Sequence, residues 1–66
     1  MKLFPVTSSN IAAIGYESGI IEVHFLNGAV YHYPNCTKAL FESFLSASSK
    51  GKFLHQWLKG RGEYVI

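Results

Sequence analysis

The chain changes its hydrophobic period near the middle. From Ile11 to Tyr33 the pattern has strand character. The alternation is clearest at Ile21, Val23 and Phe25, in a run rich in β-branched and aromatic residues. Asn27-Gly28 follows and predicts a tight hairpin with a two-residue type I′ loop, since both central residues of that turn need positive φ. The partner strand is Ala29–Tyr33, stopped by Pro34. A shorter strand, Ile11–Tyr16, reaches the next through Glu17-Ser18-Gly19, which completes a three-stranded antiparallel meander.

Beyond Pro34 the period becomes helical. Thr37 is placed to cap a helix whose stripe is Leu40, Phe41, Phe44 and Leu45. Ser46-Ala47-Ser48-Ser49 interrupts it, and Ser48 or Ser49 caps a second helix with the stripe Phe53, Leu54, Trp57 and Leu58. Trp57 completes that stripe and reads as core. Gly60 ends the helix, and Glu63–Ile66 offers a short fourth strand. The expectation is an α+β fold, a meander packed on two amphipathic helices. One domain fills residues 1–66, with 1–7 an extended arm and 8–64 the core.

The two-residue loop also fixes a register. It opposes Leu26 to Ala29, Phe25 to Val30, His24 to Tyr31, Val23 to His32 and Glu22 to Tyr33, and opposed residues share a face. One face then holds Ile21, Val23, Phe25, Val30 and His32 and packs on the helices. The other presents Tyr31 and Tyr33 beside His24 and Glu22. Neighbouring phenols on a strand can stack unpaired bases at about 1–3 kcal/mol each. A one-residue slip would turn both rings to the other side.

Composition narrows the function classes. The chain has 66 residues, 48% of them hydrophobic and 15% charged, with a formal charge of +2, so disorder is not expected. A core this small is marginal without staples or a partner, and a large catalytic cleft would consume most of it. A non-enzymatic protein without cofactor is therefore expected. The single cysteine, Cys36, rules out an internal disulfide and reads as a small buried thiol rather than a nucleophile. No metal site is expected, because the register sends His24 and His32 to opposite faces. The start of the sequence lacks a signal-peptide pattern and no apolar run approaches a membrane span, which makes the cytoplasm the default location.

Four of the six cationic residues, Lys50, Lys52, Lys59 and Arg61, fall together with no acid between Glu42 and Glu63. Lys52, His55 and Lys59 share one flank of the second helix, and Arg61 sits between Gly60 and Gly62. Such a strip attracts nucleic acid or other anions, although an ordinary solvated helix face has the same composition.

Several motifs in order carry a family resemblance. Ser8-Ser9-Asn10-Ile11, Ile14-Gly15-Tyr16, Ile21-x-Val23-x-Phe25-x-x-Gly28-x-Val30-Tyr31-x-Tyr33 and Ser49-Lys50-Gly51-x-Phe53 together resemble the KTSC domain over residues 7–64. That family takes its name from a C-terminal extension of some lysyl-tRNA synthetases and also occurs alone in bacterial and phage proteins. The resemblance implies an RNA partner, by analogy with the synthetase. Two departures stand out: Pro34-Asn35-Cys36 replaces a Val-Pro expected after Tyr-x-Tyr, and His55 stands where the family often has Asn.

The functional expectation is a small RNA-binding or nucleic-acid-binding module. Tyr31 and Tyr33 would stack bases, His24 would add an edge contact, and Lys50, Lys52, Lys59 and Arg61 would hold phosphates. The alternatives are a homo-oligomeric interaction module built on the same tyrosines, and an oligomer that binds a small nucleotide.

Overall fold

The computed structural model describes residues 1–66. Its α+β architecture is a five-stranded antiparallel sheet in which every strand pairs with its neighbours in sequence. The strands are β1 (Leu3–Pro5), β2 (Ile11–Glu17), β3 (Ile20–Phe25), β4 (Val30–Tyr33) and β5 (Tyr64–Val65). Helix α1 (Lys38–Ser46) and helix α2 (Lys50–Phe53), which runs on into a π turn over Leu54–Leu58, lie between β4 and β5 in the chain. The sheet therefore adds two strands to the expected three-stranded meander, one of them the short fourth strand anticipated at the chain end. The arm becomes an edge strand, where Pro5 has no ladder bond to forfeit, and the chain end supplies the other edge. Gly15 permits the first pairing: a Cβ there would lie 2.7 Å from the carbonyl oxygen of Lys2.

Helix starts follow the capping signals. Thr37 Oγ1 accepts the Leu40 N–H at 3.1 Å, and Ser49 Oγ accepts that of Lys52 at 3.3 Å. The core joins Ile11 and Ile14 of β2, Ile21 and Val23 of β3, Tyr33, Cys36, Phe41 and Phe44 of α1, and Leu58. Phe44 stacks on Phe53 at a centroid distance of 5.2 Å and so ties the two helices together. Cys36 is buried and donates its thiol hydrogen to the Tyr33 carbonyl; burial pushes that thiol's pKa up.

Two local features depart from expectation. The β3–β4 loop has three residues, Leu26-Asn27-Gly28, rather than two. Phe25 N–H donates to Ala29 O at 2.9 Å and Gly28 N–H to Phe25 O at 3.0 Å. Only Gly28, at φ +94°, is left-handed there, which is the signature of a type I turn followed by a glycine bulge. The two-residue loop with positive φ throughout occurs instead at Ser18-Gly19 between β2 and β3.

The extra loop residue moves the register by one. Ile21 now opposes Tyr33, Glu22 opposes His32, Val23 opposes Tyr31 and His24 opposes Val30. Because the side-chain period of a strand is two, the slip turns Tyr31 and Tyr33 toward the helices, and His32 joins His24 and Glu22 on the outer face.

The second departure is the π turn. Lys59 N–H reaches back five residues to Leu54 O at 2.9 Å, and the wider turn accommodates one additional residue. Leu58 is fully buried, whereas Trp57, expected in the core, is 55% exposed. The Trp57 indole leans on Phe53 from outside, with 6.4 Å between ring centroids. Gly60 ends the helix at φ +94° as anticipated.

Candidate ligand cleft between the sheet and the second helix

The slipped register builds a cleft. Ala29 and the β4 residues Tyr31 and Tyr33 run along one wall, and Gly51, Leu54, His55 and Lys59 form the other, with Asn10, Phe25, Asn27 and Glu63 closing the ends. Strand rise puts Ala29 about 13 Å from Tyr33. Helical rise puts Gly51 about 12 Å from Lys59. The two walls therefore match in length, and the space between them is about 550 Å³, within the range of small-molecule sites. A cleft of that size was expected to consume the core. It does not, because it opens at the seam between sheet and helix and leaves the core cluster on one side.

The phenols differ in exposure. Tyr31 is half-buried, edge-on to Phe25 with centroids 5.6 Å apart, and its ring lies 6.3 Å from that of Tyr33. Tyr33 is only 4% exposed. Burial pushes its hydroxyl pKa up to about 12, helped by the Glu63 and Tyr31 charges, so it stays protonated. The expected pair of outward phenols beside His24 is thus corrected: Tyr31 walls the cleft and Tyr33 forms its floor.

His24 lies across the sheet from the cleft. There Glu22 holds two imidazoles at once: Oε2 meets His24 Nε2 at 2.5 Å and Oε1 meets His32 Nε2 at 2.6 Å. These hydrogen bonds, His24's first, hold the Glu22 carboxyl below its usual range. The two histidines expected on opposite faces are therefore neighbours. No group of three or more His, Cys, Asp or Glu has an arrangement that could hold a metal ion.

The cationic strip divides as well. Lys59 lines the cleft and Lys52 is exposed on the same helix. Lys50 Nζ donates to Ala47 O and so fastens the α1–α2 connection. Arg61 is engaged throughout: Nε donates to Leu58 O at 3.2 Å, Nη2 to Trp57 O at 2.7 Å and Nη1 to Asn35 O at 2.8 Å. Its guanidinium closes the end of the π turn and ties it to the β4–α1 loop. The expectation of an arginine free on glycine backbone to follow a phosphate is corrected accordingly. Of the seven anticipated residues, Tyr31, Tyr33 and Lys59 share the cleft; Lys50, Lys52, Arg61 and His24 do not line it.

Sequence reasoning did not single out Asn10, Asn27 or Glu63 as cleft residues. Asn10 falls in the Ser-Ser-Asn-Ile motif and Asn27 in the hairpin signal, so both were visible for other reasons. Glu63 carries no sequence cue. Its carboxylate accepts the N–H groups of Gly60 and Arg61, which holds its pKa down, Gly60's bond contributing most.

A small antiparallel meander with two helices on one face and a cleft at their seam defines a small α+β fold. The chain belongs to the KTSC domain family, whose profile matches residues 7–64. It is similar to a protein of Tsukamurella paurometabola, 37% identical over 59 residues, covering 86% of this chain and 88% of that protein. It is also similar to an uncharacterized protein of Stutzerimonas stutzeri, 34% identical over 61 residues, covering 89% of this chain and 86% of that protein. The crystal structure of a KTSC domain protein from Yersinia pestis superposes with a TM-score of 0.88 at 33% identity, covering 98% of this chain and 96% of the other. No helix is long and apolar enough to cross a membrane.

Proposed function

We propose that the domain is a non-enzymatic nucleic-acid-binding module that takes one unpaired nucleotide, in an RNA strand or free, into the cleft. One observation carries the reading: the Tyr31 ring and the Lys59 side chain line the same cavity of about 550 Å³. A base slides against Tyr31, and its phosphate meets the Lys59 ammonium, with the exposed Lys52 about two turns away extending the positive field. Binding rather than catalysis is favoured because the one carboxylate of the cleft, Glu63, is already occupied by backbone N–H groups. Such a module acts in the cytoplasm, where its RNA partners are.

The test is a titration of labelled single-stranded RNA, duplex RNA and nucleoside monophosphates against wild type, Tyr31→Ala and Lys59→Met. Tyr31→Ala should weaken binding by about 1–3 kcal/mol, the worth of one stacked base. Lys59→Met should lower the salt slope by about one counterion. Equal affinities in variants shown to be folded by circular dichroism would refute the proposal.

A second reading has its own support. Tyr64, Val65 and Ile66 are exposed, and the first two form edge strand β5, so two copies could pair edge to edge into a continuous sheet. Sedimentation of wild type against Val65→Lys tests this: a dimer lost in the variant supports it, and a monomer at every concentration excludes it.

A further inference from the structure

The hairpin end of the cleft is furnished with donors whose orientation is fixed by the chain itself. Ser8 Oγ accepts the backbone N–H groups of Asn10 and Ile11 at 3.3 and 3.2 Å. Its own hydrogen is donated to Asn10 Oδ1 at 3.0 Å. Asn10 Oδ1 therefore already accepts one hydrogen bond from the chain, whereas its NH2 group donates to no protein atom and is the end left for a ligand. Asn27 is set in the same sense: its Oδ1 accepts the Ala29 N–H at 2.9 Å, which a backbone donor can offer only to an oxygen.

Both amides border the main cleft, and together with Phe25 they also border a smaller recess that adjoins it. Gly51 belongs to the arrangement, since a Cβ there would press to 3.2 Å from Asn10 Oδ1. At the far end Lys59 is also a donor, and the Glu63 carboxylate accepts from Gly60 and Arg61. The cleft thus offers two unpartnered amide NH2 groups at the end where the edge of a ring would arrive, while each amide oxygen there is already engaged by the chain.

We infer that the cleft selects bases that present a keto oxygen at that edge, uracil and guanine or hypoxanthine, over the amino bases cytosine and adenine. The inference rests on the nucleotide-binding reading above and deepens it. A carbonyl oxygen meets the Asn10 and Asn27 NH2 groups as an acceptor. An exocyclic amino group in the same place sets donor against donor and leaves them unpaired. Phosphate oxygens are acceptors too, so a comparison at constant charge separates the base edge from the phosphate.

The experiment uses size-matched pairs, in which stacking area and phosphate number are equal: ten-nucleotide oligo(U) against oligo(C), and inosine against adenosine monophosphate. Wild type should bind the keto member about tenfold more tightly, the scale of one hydrogen bond left unmade. Asn27→Asp keeps an oxygen for the Ala29 N–H and replaces the NH2 group by an acceptor. Its added charge lowers all affinities together, so the ratio is what is read; the ratio should fall to unity or invert. Equal binding of both members by wild type, with Tyr31→Ala still weakening both, would overturn the keto preference and leave the nucleotide reading intact. Equal binding that is indifferent to Tyr31 as well, or no binding of any probe, would overturn both. A preference that survives unchanged in Asn27→Asp and in Asn10→Asp would overturn the assignment to these amides.

Discussion

Arg61 and Lys59 are two residues apart in a basic segment, yet the structure gives them different work, and Arg61→Met separates the two. The guanidinium makes three hydrogen bonds to backbone carbonyls, at 3.2, 2.8 and 2.7 Å, on the π turn after α2 and on the loop after β4. A hydrogen bond to a charged group is worth about 1.5–3 kcal/mol where water is excluded. Two of these three lie at exposed atoms and the third is half-buried, and competition with solvent reduces each to about 0.5–1 kcal/mol. The loss on replacement by Met, which keeps most of the aliphatic stem, is then about 2 kcal/mol in total. A domain of 66 residues is expected to be stable by about 3–10 kcal/mol, so the loss is a large share.

Thermal and urea unfolding without any nucleic acid measures this directly. At about 4–8 °C per kcal/mol for a domain of this size, the melting temperature of Arg61→Met should fall by about 8–16 °C. Arg61→Lys should recover less than half of that, because an ammonium cannot fork between three carbonyls. Lys59→Met, at an exposed site, should melt with the wild type and lose only ligand affinity. The reasoning fails if Arg61→Met melts within about 2 °C of wild type and loses RNA affinity as Lys59→Met does. That result would make the guanidinium a phosphate contact after all.

Three further outcomes follow from the same geometry. Glu22, held below its ordinary 4.5 by two imidazoles, releases its proton more readily folded than unfolded; its contribution is complete above pH 4.5 and is lost as pH falls through the lower folded value. Glu22→Gln should therefore flatten the decline of the urea midpoint with acidification below pH 4.5, and an unchanged slope would refute the role. Gly15→Ala should cost about 1–3 kcal/mol and release the β1 amides to rapid hydrogen exchange, because its Cβ meets backbone at Lys2. Gly28→Ala meets nothing within 4 Å and should cost only about 1 kcal/mol, from its positive φ, with Gly28→Asn recovering part of it in urea melts.

Local signals transferred well where the backbone itself is the cause. Thr37 caps the helix it was expected to cap, and of the two serines offered for the second helix Ser49 is the cap, since a side-chain oxygen before an apolar stripe satisfies N–H groups that nothing else reaches. The Ile21, Val23 and Phe25 alternation likewise marks one strand. The π turn was invisible for the opposite reason: Leu54–Leu58 has an ordinary helical stripe, and the Arg61 bonds to the carbonyls of Trp57 and Leu58 that accompany the wider turn come from beyond the helix end. The arm strand depends on Gly15 across the sheet, a contact with no local cue.

The register is a different case, because the information was in the chain. Asn-Gly serves a two-residue loop or a type I turn with a glycine bulge equally well. The faces decide between them. A two-residue loop would turn His32 inward with Val30 and leave two phenols in water. The three-residue loop turns Tyr31 and Tyr33 inward, each with far more apolar surface than an imidazole. It also places His32 opposite Glu22 and beside His24, where one carboxylate satisfies both rings. Burying an imidazole without a partner is costly, whereas the alternative gains area and two hydrogen bonds together. One residue of loop thus moves the phenols from an open sheet face to the wall and floor of a cleft between strand and helix.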